Sequence, residues 1–328
     1  MLKHKAIDIG KVVEAYSGEI AKVEKFLEDV FNEENAIVKS VSRHLLGSGG
    51  KRLRPMFLLL SARLSGYKGA DNIPLAGIVE IIHTASLLHD DVVDEAALRR
   101  GNATANSIWG NAPVVLVGDY LYSNALKYAV TFSNLKIIKA LSSAITCMTD
   151  GELIQLEKTS DITITEEDYL RIASGKTGAL FSEACRIGGI LGAVSDEREE
   201  ALASYGMNVG IAFQMMDDIL DYSADEGELG KKLGKDLEEG KITLPLICLL
   251  KSVTPAEREE IRTIVEGLSD EGLGRISALI RQYNAIDESL KRAEAVVDAA
   301  KAKLEIFADG EDRAFLMDIA DYALHREK

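Results

Sequence analysis

The feature that most constrains this chain is a helical hydrophobic period that hardly ever stops. Apolar residues recur at three- and four-residue spacing through most of the 328 positions, and only five positions are proline. The spacing predicts helices over residues 12–31, 35–46, 55–64, 73–96, 114–129, 135–157, 166–191, 197–222 and 243–250. A more charged helical stretch covers 256–325. Pro55 stands where a first helical turn tolerates proline, because that N–H would have no intrahelical partner. The Gly-Ser-Gly-Gly run at 47–50 stops the second helix. No alternating pattern is longer than a few residues, and there is neither a fixed-period repeat nor a low-complexity linker. A composition 47% hydrophobic, only 6% aromatic and rich in good helix formers agrees. The expected fold is all-α, one large helical domain over residues 1–328 with its central helices buried on most sides.

Charge and cysteine usage narrow the function classes. A net charge of −15 argues against a general nucleic-acid surface, which needs basic excess. The acidity fits either metal binding or simple solubility. Cys147, Cys185 and Cys248 are far apart, odd in number and set in apolar helical sequence. They are read as buried thiols of a reducing compartment, without zinc spacing. Residues 1–12 alternate charged and apolar types and lack a signal-peptide core. No apolar run reaches the ~18 residues of a membrane span. The nearest, 73–88, is broken by Glu80 and His83. The expectation is a cytoplasmic protein without a transmembrane segment.

Carboxylates inside apolar helices are the informative exceptions, since each needs a partner, a metal or a proton. Asp90-Asp91-Val92-Val93-Asp94 closes one apolar helix, and Asp217-Asp218-Ile219-Leu220-Asp221 repeats its spacing at the end of another. On a helix Asp90 and Asp94 lie about 40° apart, one turn along the same face, while Asp91 points about 100° away. Two stacked carboxylates repel unless cations bridge them. Oxygen-only ligands suit Mg²⁺ completed by phosphate oxygens and water. One such motif alone is common on helix surfaces; two with equal spacing and equally apolar approaches are not.

Basic residues lie nearby in separate groups. Arg99 and Arg100 follow the first motif, and Lys231, Lys232, Lys235 and Lys241 follow the second. Gly49-Gly50-Lys51-Arg52-Leu53-Arg54-Pro55 is a basic loop before a helix, where cations are unfavourable unless an anion binds there. Lys176-Thr177, flanked by Gly175 and Gly178, reads equally as a surface lysine or a phosphate contact. Together the acid and basic clusters imply two phosphate-bearing groups and bridging Mg²⁺. They do not identify a reaction.

In order and spacing, these segments resemble the trans-prenyl diphosphate synthases. The segments are Gly49 to Pro55, His83 to Asp94, Arg99-Arg100-Gly101, Lys176 to Phe181, Phe213 to Asp221 and Gly240 to Pro245. The likeness runs from Gly49 to about Tyr322 and is nearest the long-chain members, such as the octaprenyl diphosphate synthases. It implies the isoprenoid synthase fold, a helical bundle around a central active-site cavity. It implies condensation of isopentenyl diphosphate with an allylic diphosphate. Asp90, Asp94 and Asp217 are then the Mg²⁺ ligands, with three ions expected when substrate is bound, and Asp91, Asp218 and Asp221 support them. Arg99, Lys176, Thr177, Gln214, Lys231 and Lys241 would contact the allylic substrate. Gly50, Lys51, Arg54, His83 and Arg100 would hold isopentenyl diphosphate. His83, seven residues before Asp90, shares its helical face. By this likeness the metal and basic residues stabilise the departing diphosphate, and the allylic cation is attacked by the second substrate's double bond. Residues 227–240, rich in glycine and charge, are read as a closing lid. A homodimer is expected.

Chain length follows from helix geometry. One turn rises about 5.4 Å, roughly one isoprene unit; a helical wheel puts Ser86 nearer the Asp90 face and Ala85 further round, and the resemblance assigns both of these small residues to a gate. Ile82 and Val79 continue the path, and the expected product has about thirty-five to fifty carbons on the family pattern. A shorter-chain synthase and a non-catalytic partner subunit are the alternatives. A terpene cyclase usually lacks the basic loop and the second motif.

Overall fold

The computed structural model describes residues 9–32, 35–47, 51–99, 101–223, 234–267 and 269–325. Helices carry the architecture among them. The first half runs α1 (Gly10–Ala15), α2 (Ser17–Phe31), α3 (Ala36–Gly47), α4 (Leu53–Leu64), α5 (Asn72–Val93), α6 (Ala105–Trp109), α7 (Asn111–Val130) and α8 (Leu135–Glu157). Then come α9 (Glu166–Ala173), a π-turn (Ser174–Gly178), α10 (Ala179–Leu191) and α11 (Asp196–Ser223). The rest is α12 (Lys235–Glu238), α13 (Leu244–Ser252), α14 (Pro255–Glu266), α15 (Asp270–Gln282), α16 (Ala285–Lys303) and α17 (Glu311–His325). The sheet content among described residues is one short hairpin, β1 (Leu98–Arg99) against β2 (Asn102–Ala103). No described helix is long and apolar enough to cross a membrane.

The helix α11 is the axis of the packing. It places Leu202, Tyr205, Val209, Ala212 and Phe213 in an apolar core shared with α4, α5, α7, α8 and α10. From its second half, Ile211, Met215, Met216, Ile219 and Tyr222 enter another core with α9, α13, α14 and α15. A helix apolar on most of its circumference must be enclosed. This one is from Leu202 to Met216, and Asp217 of the second aspartate motif is the first exposed residue after that stretch.

Glycines set how closely the central helices approach. A Cβ on Gly188 of α10 would lie 2.6 Å from the Ala62 nitrogen of α4. One on Gly210 of α11 would lie 2.7 Å from Gly178 Cα, and one on Gly151 of α8 would lie 2.8 Å from the Lys176 nitrogen. The last two contacts clamp the π-turn between α8 and α11. An extra residue in a helical turn is costly unless the surroundings hold it, and such bulges gather at functional sites.

The departures from the sequence expectation have local causes. The helix predicted over 12–31 breaks at Tyr16, whose ring is buried and whose hydroxyl donates to Asp312 at 2.8 Å. The apolar phase continues across that break, so spacing cannot show it. The helix predicted to 96 ends at Val93, and Asp94 caps it with its N–H on the Asp90 carbonyl at 2.8 Å. The stretch 256–325 divides into α14 to α17, one division falling at Asn284, which takes a left-handed conformation. Cys185 and Cys248 are buried, but Cys147 is exposed, a correction to the expectation of three buried thiols. It lies just outside the edge of the buried stripe of α8 that ends in Met148 and Gly151, about 70° from the middle of that stripe.

Two glycines of opposite surroundings test this packing. Gly188→Ala drives a methyl into the α4 backbone and is expected to cost about 1–3 kcal/mol of stability. A Cβ on Gly274, inside α15, would have nothing within 4 Å of it. Gly274→Ala is therefore expected to stabilise by about 0.5–1 kcal/mol. Urea midpoints of the two variants, one lowered and one raised against wild type, check the pair.

Candidate active site

The two aspartate motifs reach one cavity of about 280 Å³. Asp94 brings the end of α5 to its wall and Asp218 brings the end of α11. Arg99, Lys158, Lys176 and Lys241 add positive charge, and Gln155, Tyr169, Gln214, Asp236 and Thr243 add polar surface. Ile164, Ile172 and Ile242 supply apolar wall.

The carboxylates differ in how they are matched. Asp91 is buried and takes both Arg99 Nε at 2.9 Å and Nη2 at 2.8 Å on one oxygen. Its other oxygen is buried with no hydrogen-bond partner among the described residues. Asp94 is paired with Lys241 at 3.0 Å, and Glu239 holds the same ammonium at 2.7 Å. Burial alone would lower the Lys241 pKa, but Glu239 and Asp94 outweigh it and keep the ammonium charged. Lys176, on the π-turn, is paired with Glu152 of α8 at 2.6 Å. Burial pushes the Asp90 carboxyl up to about 6; Lys176 pulls it down, while Glu152 and Asp94 push it up.

The second motif is arranged differently. Asp218 is buried, accepting from the Tyr169 hydroxyl at 2.6 Å and from Gln214 Nε2 at 2.8 Å. Burial and the neighbouring Asp236 push Asp218 well above the usual carboxylate range. Thr177 donates its hydroxyl to Gln214 Oε1 at 2.7 Å. Asp221 accepts the Asp236 N–H at 3.1 Å, and Asp217 is exposed on α11.

These donors fit a hard divalent cation of a particular kind. All the carboxylates are oxygen ligands, and they are crowded enough to raise one another's pKa values. Yet among the described residues no three His, Cys, Asp or Glu side chains gather closely enough to chelate an ion alone. The set therefore suits Mg²⁺ that completes its shell with substrate oxygens and water, and not a closed structural site.

A second group lies at the start of α4. Lys51 bonds the Tyr322 hydroxyl of α17, its ammonium 4.9 Å from the ring centre. Arg54 reaches His83 Nε2 at 3.0 Å and stacks 4.6 Å over Phe181. Arg54 and His83 thus meet about two turns of α5 from Asp90, while Lys51 is tied to α17. Arg52, grouped with them by sequence, is instead held by Glu24 at 2.5 Å and Glu80 at 2.7 Å, in a left-handed conformation. Its charge is spent inside the fold.

Not every expected position reaches the cavity. Ala85, Ser86, Ile82 and Val79 are buried along α5 and do not line it. Ser86 turns its hydroxyl back to the His83 carbonyl at 2.8 Å. Gly50, Arg100 and Lys231 lie outside the described residues, as does the first half of the expected lid. The lid's last part, from Gly234 to Gly240, holds α12 and is tied to Asp221 by the Gly234 and Asp236 N–H groups. The sequence reading missed Glu152, Gln155, Lys158, Tyr169 and Asp236. Glu152 and Gln155 had a signal, being polar residues just after the buried Gly151; Tyr169 had none.

Residues 35–282 match the family model for polyprenyl synthetase. Octaprenyl diphosphate synthase of Escherichia coli (strain K12) is 38% identical over 327 residues, covering 98% of this chain and 100% of that protein. The crystal structure of a decaprenyl diphosphate synthase from Rhodobacter capsulatus superposes with a TM-score of 0.93 at 38% identity, covering 98% of this chain and 100% of that one. A polyprenyl synthase from Caulobacter crescentus, complexed with calcium and isoprenyl diphosphate, gives 0.93 at 37% identity, covering 99% and 100%.

The Asp91–Arg99 pair makes a separable prediction. Removing one partner of a buried pair leaves an uncompensated charge. Arg99→Ala is expected to lower unfolding stability by about 2–3 kcal/mol, discounted because the guanidinium is partly exposed. Adding Asp91→Asn should restore part of that loss in denaturant titrations.

Proposed function

The chain belongs to the polyprenyl synthetase family, and from that premise we propose that it condenses isopentenyl diphosphate with an allylic diphosphate into a long-chain trans-polyprenyl diphosphate, with Mg²⁺ as cofactor. The observation that carries the reading is the shared cavity, where Asp94 of α5 and Asp218 of α11 face a wall that includes Arg99, Lys176 and Lys241.

Asp90, Asp94 and Asp217 would hold the metal, supported by Asp91, Asp218 and Asp221. Bound Mg²⁺ would neutralise charge on a diphosphate leaving group. The protein's own part is to bind, orient and exclude water. Lys176, Lys241 and Arg99 leave their carboxylate partners to meet the allylic diphosphate, with Lys231 as a further contact. Lys176 and the Thr177 carbonyl would sit beside the developing cation, and Thr177 and Gln214 would contact the allylic substrate. Lys51, Arg54 and His83, with Gly50 and Arg100, hold isopentenyl diphosphate so that its double bond points at that carbon. A water-poor cavity protects the cation until a proton leaves to the released diphosphate.

The growing tail runs along α5. Ala85 and Ser86 present a small surface one turn from Asp90, and Ile82 and Val79 extend it with hydrocarbon. A second copy of the chain is expected against α7 and α8, where Leu116 is 67% exposed and Val115, Leu153 and Leu156 are exposed with it. We read the chain as one domain because α11 enters both cores. The proposal also carries a cytoplasmic location, with membrane contact only as the lipid product leaves.

Two measurements test this reading. With radiolabelled isopentenyl diphosphate, Asp90→Ala and Asp217→Ala are each expected to cut kcat by about 10³-fold or more. Near-normal turnover in either variant sinks the metal assignment. For chain length, Ala85→Phe and Ser86→Phe are expected to shorten the dephosphorylated products seen by reverse-phase chromatography while total turnover stays substantial. Wild-type lengths in both single variants and the double variant would place the tail elsewhere.

A further inference from the structure

Tyr169 is used by none of the roles above, yet it stands in the cavity wall. It sits on α9, whose start is fixed by a capping box between Thr165 and Asp168. Its ring is buried among the apolar residues of the second core, and its hydroxyl meets Asp218 at 2.6 Å. A phenol that merely filled space would need no oxygen. Burying a hydroxyl against a buried carboxyl costs desolvation of both, which the short hydrogen bond between them offsets.

The bond is the end of a longer chain. Thr177 donates to Gln214 Oε1, so the Gln214 amide must turn its NH₂ towards Asp218. Asp218 then accepts from Gln214 on one oxygen and from Tyr169 on the other. Side chains from the π-turn, α11 and α9 thus donate towards Asp218 from two sides, and the amide orientation holds only while Asp218 keeps its place. Thr177 adjoins Lys176, so the chain ends beside the lysine assigned to the allylic diphosphate.

We propose that Tyr169 is a positioning residue: its hydroxyl fixes the Asp218 carboxylate and, through Gln214, the Thr177 side chain, so that both walls of the cavity hold a diphosphate in register. The proposal rests on reading this cavity as a diphosphate site. Tyr169 touches neither substrate nor metal; it acts through Asp218. Carboxylates that face a metal site depend on such outer hydrogen bonds for their orientation.

The test is Tyr169→Phe, which keeps the ring and removes one oxygen. Calorimetric titration with inorganic diphosphate and Mg²⁺ is expected to show affinity weakened by about 10–100-fold. In steady-state kinetics kcat should fall by a similar factor, while KM for isopentenyl diphosphate stays within about twofold, because Lys51, Arg54 and His83 stand on other elements than the chain's α9, π-turn and α11. The double variant Tyr169→Phe/Asp218→Asn should bind magnesium diphosphate no more weakly than Asp218→Asn alone, since both lesions cut one chain. Diphosphate affinity equal to wild type, additive losses in the double variant, or a lowered melting temperature with unchanged affinity each overturns the positioning role. Wild-type protein that binds magnesium diphosphate but transfers no prenyl group would instead overturn the function assigned above.

Discussion

A carboxylate in an apolar helix must be matched, and most of this site is the set of matches. Arg99 reaches back from the β1–β2 hairpin to Asp91. Lys241 comes from the segment after α12 to Asp94. Glu152 and Lys176 satisfy each other across α8 and the π-turn. Asp218 is met by neutral donors, Tyr169 and Gln214, which orient it. The Asp90 carboxylate makes no hydrogen bond or ion pair among the described residues, and its burial leaves it hard to ionise. A site so balanced favours an incoming cation at Asp90 and an incoming anion at the lysines, which is the charge pattern of a metal diphosphate.

The backbone serves the same arrangement. Lys176 can stand opposite Asp90 only because the π-turn lies against both α8 and α11. Glycine at 151, 175, 178 and 210 is what allows those backbones to come so near. The two apolar cores then fix the approach, since α11 belongs to both. Packing, not loop conformation, sets the distance between the two aspartate motifs.

Much of this was legible in the sequence. The helix predicted over 135–157 is α8 to the residue, because Asn134 caps it and the apolar period is clean. Both aspartate motifs were visible, as were Lys176, Thr177, Gln214 and Lys241, through spacing and resemblance. What escaped were facts of tertiary partnering. Arg52 looks like Lys51 and Arg54 in sequence, and only Glu24 and Glu80 reveal its structural use. Tyr169 lies 49 residues from Asp218, and nothing in either local pattern announces their bond. The π-turn was hidden because the apolar period continues through it, with Gly175 and Gly178 its only outward sign.

In the proposed function, α5 and α11 hold one metal-bridged diphosphate between them. Crystals grown with Mn²⁺ and inorganic diphosphate would test it through anomalous difference density. The account predicts metal peaks within coordination distance of Asp90 and Asp94 and of Asp217, with the anion between them on the Lys176 and Lys241 side. Manganese bound at only one motif, or diphosphate seated away from both, would contradict it.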